Sequence, residues 1–113
     1  MTYKPFDVVV VPFPFTDSAR IKRRPALVLS QSENFGSKIA HSVLAMITSQ
    51  KNEPWPLDCK IKNTKQCGLT APSVVRMKLF TLDNRFIIGK IGQLSKNDQK
   101  QVKQSMSHLF DYL

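Results

Sequence analysis

Cysteine, histidine and acidic residues are all scarce in this 113-residue chain, and each shortage removes a class of function. Two cysteines, Cys59 and Cys67, build neither a disulfide framework nor a four-ligand zinc site. A reducing, cytoplasmic compartment suits them best, with a single bridge between them left open. A two-histidine ribonuclease needs both rings to converge on one phosphate. Here the only histidines are His41, in or beside a polar loop, and His108, on a helical stretch among packing residues. Both read as surface or flanking residues. Paired carboxylates, a glycine-rich phosphate loop and a nucleophile elbow are missing. No run approaches the ~18 apolar residues of a membrane span, and Met1-Thr2-Tyr3-Lys4-Pro5 leads into no signal-peptide core. No metal and no cofactor are expected.

What the chain has in excess is positive charge. Seventeen lysines and arginines face eight acidic residues, for a net charge of +9 and a pI near 9.9. A small domain this basic is expected to meet a polyanion, either nucleic acid or an acidic protein. The length fits one domain with a single core.

The hydrophobic pattern is mostly that of strands. Residues 6–13 form a β-branched run bounded by prolines, and 25–30 and 42–49 are further runs apolar on both faces. Residues 57–61 alternate as a half-exposed strand does. A long, bent strand is expected over 73–82 and a short one within 85–94, where Gly89 and Gly92 permit close approach. Residues 31–41 are polar, with room for one helical turn. Ser95 is a good N-cap, with Asp98 in the first turn where its charge meets the helix dipole. Val102, Met106, Leu109, Phe110 and Leu113 recur at helical spacing, opposite Lys96, Lys100, Lys103 and Gln104. Five or six short strands and one terminal helix predict a mainly β protein, a small barrel with residues 95–113 packed on it. Three strands apolar on both faces need an outer cover, which predicts a homodimer.

The stretch Lys22-Arg23-Arg24-Pro25-Ala26-Leu27-Val28-Leu29-Ser30 stands out. Proline suits the first residue of a strand, so the three cations are expected at a strand's mouth. If the strands at 25–30 and 42–49 pair antiparallel, Arg24 meets Thr48 and Ser49 at one rim. A guanidinium beside a hydroxyl can clamp a phosphate through two N–H bonds and one O–H bond. Taken alone, such a pair is more often structural than functional. Arg20, Lys22, Arg23, Lys51, Arg76 and Lys78 are candidate contacts to a nucleic-acid backbone, and each equally suits a solvated surface. Trp55, between two prolines, either stacks on an unpaired base or pins its own loop.

Phe6-Asp7-Val8-Val9-Val10-Val11-Pro12-Phe13-Pro14-Phe15-Thr16-Asp17 followed by residues 22–30 resembles the N-terminal half of the PemK/MazF-type toxins of type II toxin–antitoxin systems. Ile47-Thr48-Ser49, Gly68-Leu69, Pro72-Ser73-Val74-Val75-Arg76, Leu79-Phe80-Thr81-Leu82-Asp83 and Ile91-Gly92-Gln93-Leu94-Ser95 continue the likeness in the family's order. The resemblance implies an SH3-like barrel dimer that cuts single-stranded RNA without a metal, with Arg24 and Thr48 catalytic. Ser49 stands beside Thr48 as its understudy. It also implies an acidic antitoxin partner. Two departures are visible. Phe6 replaces a glycine common before the first-strand aspartate, a change expected to be harmless. The acidic residue frequent around Arg76-Met77-Lys78 is missing, a change expected to alter which bases are read. Two other functions share the barrel: a gyrase poison, which resembles a chain ending in Trp-Gly-Ile rather than Asp111-Tyr112-Leu113, and an inactive module that only binds an acidic partner.

Overall fold

The computed structural model describes residues 2–13 and 22–112. Arg20, the motif residues Phe15, Thr16 and Asp17, and Leu113 lie outside them. The described chain folds as β1 (Asp7–Phe13), β2 (Lys22–Val28), β3 (His41–Ser49), β4 (Cys59–Lys60), β5 (Ser73–Asp83), β6 (Gly89–Gln93) and a C-terminal helix α1 (Lys96–Leu109), with short 3-10 turns at Ser32–Asn34 and Asn84–Phe86. All neighbouring strands pair antiparallel in the order β4-β5-β3-β2-β1-β6. The sheet curls into a half-barrel closed by the helix.

Alternation along the strands sorts their side chains onto two cores. Val8, Leu27, Ala45, Ile47 and Val75 face inward, where Cys59, Ile61, Cys67, Leu94 and Val102 complete one buried cluster. Val9, Val11, Ala26, Val28 and Leu44 face the other way and pack with Tyr3 and Ile87. This explains strands without a polar face. It also changes the ground for expecting a dimer, because the chain's own N-terminal segment and second 3-10 turn cover that outer face.

The bend expected in the long strand is a bulge. The register moves from Ala45↔Leu79 to Met46↔Arg76, leaving Met77 and Lys78 unpaired with β3. The fourth strand is shorter than its alternation implied, since only Cys59 and Lys60 pair with β5. From Ile61 onward a loop crosses to the other edge of the sheet, where Gln66 O accepts from Gln93 N at 3.1 Å. Two glycines permit this approach. A Cβ on Gly92 would stand 2.3 Å from the backbone of Cys67, and Gly68, at φ +72, would meet Ile91 O at 2.1 Å.

Helix α1 begins as expected, with Ser95 Oγ accepting from Asp98 N. Its apolar stripe is narrower than the spacing implied: Val102 is buried and Met106 partly so, whereas Leu109 is 39% exposed. Asp98, predicted to serve the dipole, is buried, and its carboxylate also accepts from Lys62 N, Asn63 N and Ser95 Oγ. The carboxylate thereby fastens the crossing loop to the helix. Cys59 and Cys67 are both buried free thiols. None of the helices among the described residues is long and apolar enough to cross a membrane.

Candidate functional site

The cations at 22–24 lie within β2 rather than at its mouth. Lys22, Arg23 and Arg24 pair with Phe13, Pro12 and Val11 of β1, and Pro25 pairs with Val10. Towards β3 the situation differs, because that ladder spans only Ala26↔Met46, Leu27↔Ala45 and Val28↔Leu44. Pro25, which has no N–H to give, stands where pairing with β3 stops. Beyond it the two strands part, and Ile47, Thr48 and Ser49 pair only with β5.

Register decides what faces this gap. Stepping two residues outward along both strands from Ala26↔Met46 sets Arg24 opposite Thr48, on the same face. One step further sets Arg23 opposite Ser49. A cavity of about 400 Å³ opens here, lined by Arg23, Arg24, Thr48, Ser49, Thr70 and Ser73 among others. A smaller one of about 170 Å³ is lined by Phe13, Arg24, Thr48, Asn52, Trp55, Arg76 and Lys78. Arg24, Ile47 and Thr48 belong to both, so they form the shared wall.

Lys22, Arg23 and Arg24 are exposed, and among the described residues none of them forms an ion pair. Thr48 Oγ1 accepts a hydrogen bond from Asn52 Nδ2. Ser49 Oγ accepts from Lys51 N at 3.2 Å, an ST-type turn that starts the loop after β3. The Lys51 side chain is exposed and lines neither cavity. Lys78 Nζ lies 5.2 Å from the centre of the Phe13 ring.

Arg76 differs from the free backbone contact its charge suggested. Only 8% exposed, it bonds both carboxylate oxygens of Asp58, donates to Glu53 O at 2.8 Å, and lies 4.8 Å over the Trp55 ring. Burial pushes the Asp58 carboxyl up, but the hydrogen bonds from Arg76 and Trp55 N outweigh it and hold the group below its usual range. The acid that pairs with Arg76 thus comes from the loop after β3 rather than from β5 itself. Trp55 is fixed by that guanidinium yet 44% exposed beside the smaller cavity.

The histidines do not converge here. His41 begins β3 and Thr48 lies seven residues along it, about 23 Å away at strand rise. His108 is exposed in the last turn of α1. Among the described residues, no three His, Cys, Asp or Glu side chains form a metal-binding group. Asn52, Thr70 and Ala71 are not marked by the sequence as cleft residues, because only the loop geometry carries them there. The position of Asn52 just after Thr48-Ser49 was the one available signal.

The comparisons with known proteins agree with this architecture. A family model described as PemK-like, MazF-like toxin of type II toxin-antitoxin system matches residues 4–110. The fold is similar to that of Mycobacterium tuberculosis toxin MazF-mt6, with a TM-score of 0.71 and 21% identity over 93% of this chain and 96% of that one. It is similar to MazE-MazF (Form-III) from Deinococcus radiodurans, with a TM-score of 0.75 and 20% identity over 98% of each chain. A mycobacterial endoribonuclease in complex with its cognate antitoxin gives a TM-score of 0.72 at 11% identity, over 97% of this chain and 94% of that one. No curated protein matches. At these identities the solved structures speak for the fold, while the family model spans nearly the whole sequence. The chain belongs to the PemK-like, MazF-like toxins of type II toxin–antitoxin systems.

Proposed function

We propose that this toxin is an endoribonuclease that cuts single-stranded RNA, mRNA included, without a metal ion. The observation that carries the reading is the placement of Arg24 and Thr48 on the wall shared by two cavities. RNA brings its own nucleophile, so the protein's work is to hold the backbone in line and to stabilise charge. The 2′-OH attacks the adjacent phosphorus and loses its proton, the bond to the 5′-oxygen breaks, and that oxygen takes up a proton. The products are a 2′,3′-cyclic phosphate and a 5′-hydroxyl.

Arg24 binds the non-bridging oxygens as negative charge builds on them. An arginine, with a pKa above ~12, is a poor general base but a durable cation. Thr48 orients either that phosphate or the 2′-OH, with Ser49 beside it. Lys22, Arg23, Lys78, Lys51 and Arg20 hold neighbouring phosphates, Trp55 stacks on a base, and Arg76 contributes by holding Trp55 in place. The chain works in the cytoplasm as one toxin domain of residues 1–113.

Its partners are an acidic antitoxin and a second copy of the chain. Solved neighbours include toxin–antitoxin complexes. At the β6 end of the sheet Ile91 and, just before the strand, Ile88 are exposed, which suits an apolar interface between copies.

The test is incubation with single-stranded RNA in EDTA, alongside Arg24→Ala and Thr48→Ala. Cleavage slowed ~100-fold or more in both variants, and blocked by one deoxyribose 5′ of the scissile phosphate, is the expected result. Normal cleavage of the deoxy substrate removes the 2′-OH as attacker. No cleavage but inhibited gyrase makes the protein a gyrase poison, and neither activity leaves a binding module.

A further inference from the structure

We infer that Asn52 is a positioning residue that turns the Thr48 hydroxyl into a hydrogen-bond donor aimed at the substrate phosphate. This rests on the nuclease reading above. Thr48 was open to two roles there, orienting the 2′-OH or bonding the phosphate, and its neighbour selects between them. A threonine hydroxyl has one hydrogen and two lone pairs. Asn52 Nδ2 donates to Thr48 Oγ1, occupying a lone pair, so the hydroxyl hydrogen must turn away from the amide.

Among the described residues no hydrogen bond takes up that hydrogen, and Thr48 lies on the shared wall beside Arg24. Non-bridging phosphate oxygens are acceptors with no hydrogen of their own, so they match this presentation. The guanidinium and the hydroxyl then converge on one phosphate as two donors.

Asn52 is itself held in place. Its backbone N–H donates to Ser49 O at 3.1 Å, and Lys51 N donates to Ser49 Oγ. The turn after β3 therefore delivers the amide back to the strand's own Thr48. Threonine's branched Cβ restricts χ1, so one added hydrogen bond is enough to select an orientation. Asn52 acts through Thr48.

A double-mutant cycle under single-turnover conditions tests this, with Asn52→Ala made in the wild-type and Thr48→Val backgrounds. The expected result is a fall in kcat of about tenfold in wild type with KM within about threefold, and a fall below about twofold once Thr48 has lost its hydroxyl. Equal losses in both backgrounds, or no loss in wild type, overturn the inference. A merely structural role would lower the melting temperature or act equally in both backgrounds. A second readout needs no activity: the Asn52 side-chain amide resonances should shift in Thr48→Val, and unchanged resonances overturn the inference as well. A wild-type protein that cuts no RNA, with those resonances shifted, overturns the nuclease reading and the catalytic role of Asn52 while leaving the hydrogen bond itself standing.

Discussion

Phe6 sits at φ +72, a left-handed backbone that L side chains adopt at a cost of about 1–2 kcal/mol. A glycine there would carry no such cost. Phe6 holds the position by packing its ring on the inner core, with Lys103 Nζ 5.5 Å from the ring centre. Phe6, expected to be harmless here, is therefore a compensated strain. Removing the ring but keeping a Cβ should expose the strain: Phe6→Ala is expected to be less stable than Phe6→Gly by about 1 kcal/mol in urea unfolding, inverting the usual order.

Arg76 makes a second residue-scale prediction. Its ion pair with Asp58 has side chains only 10% and 11% exposed, so truncating one partner strands the other. Arg76→Ala should lower stability by about 3 kcal/mol, whereas a pure phosphate contact would leave the melting temperature unchanged. Because the folded state lowers the Asp58 pKa, the pair stabilises the fold above the usual carboxylate range. That stabilisation is lost as pH falls through the lowered value, and the variant should lack this acid limb.

Among the elements, the loop of residues 61–72 matters more than its lack of regular structure suggests. It supplies Gly68, Leu69, Thr70 and Ala71 to the larger cavity. It is held at one end by Asp98 of α1, which accepts from Lys62 N and Asn63 N, and in its middle by Gln93 N on Gln66 O. The C-terminal helix thus shapes the cleft without reaching it. Asp98→Ala removes a charged acceptor from the part-buried donors Lys62 N, Asn63 N and Ser95 Oγ, a loss of about 1–3 kcal/mol. Hydrogen exchange should show it locally, as faster exchange at Lys62 and Asn63 while the β3–β5 amides stay protected. Equal acceleration throughout would mean that the carboxylate serves only global stability.

For the molecule as a whole, two cores on opposite sides of one sheet set the alkaline limit. Burial pushes the Cys67 thiol up to about 11, and raises Cys59 in the inner core and Tyr3 in the outer. Each group ionises more readily once unfolded, so its contribution is intact below the ordinary value, 9.0 for the thiols. It is lost as pH rises through the folded value. The melting temperature should fall steadily from pH 9 towards 11, and Cys67→Ala should make that fall shallower. An unchanged slope in the variant would show that the thiol does not titrate with unfolding.

Local patterning determined most of the elements, because each rests on short-range physics. β-branched runs made β1 and β3, Ser95 and Asp98 fixed the start of α1, and the order of motifs carried the family. Arg24 and Thr48 were legible as candidates for the same reason. What the sequence could not decide was distance between strands. Pro25 looked like the start of a strand, but the chain extends through it and instead loses its partner β3 there, and that parting makes the cleft. Arg76, written in the chain as one more surface cation, became a buried clamp only because Asp58, Glu53 and Trp55 fold back onto it. Charge and periodicity belong to the sequence, while which side chain is opposite which belongs to register, and register is settled only when both faces of the sheet are packed.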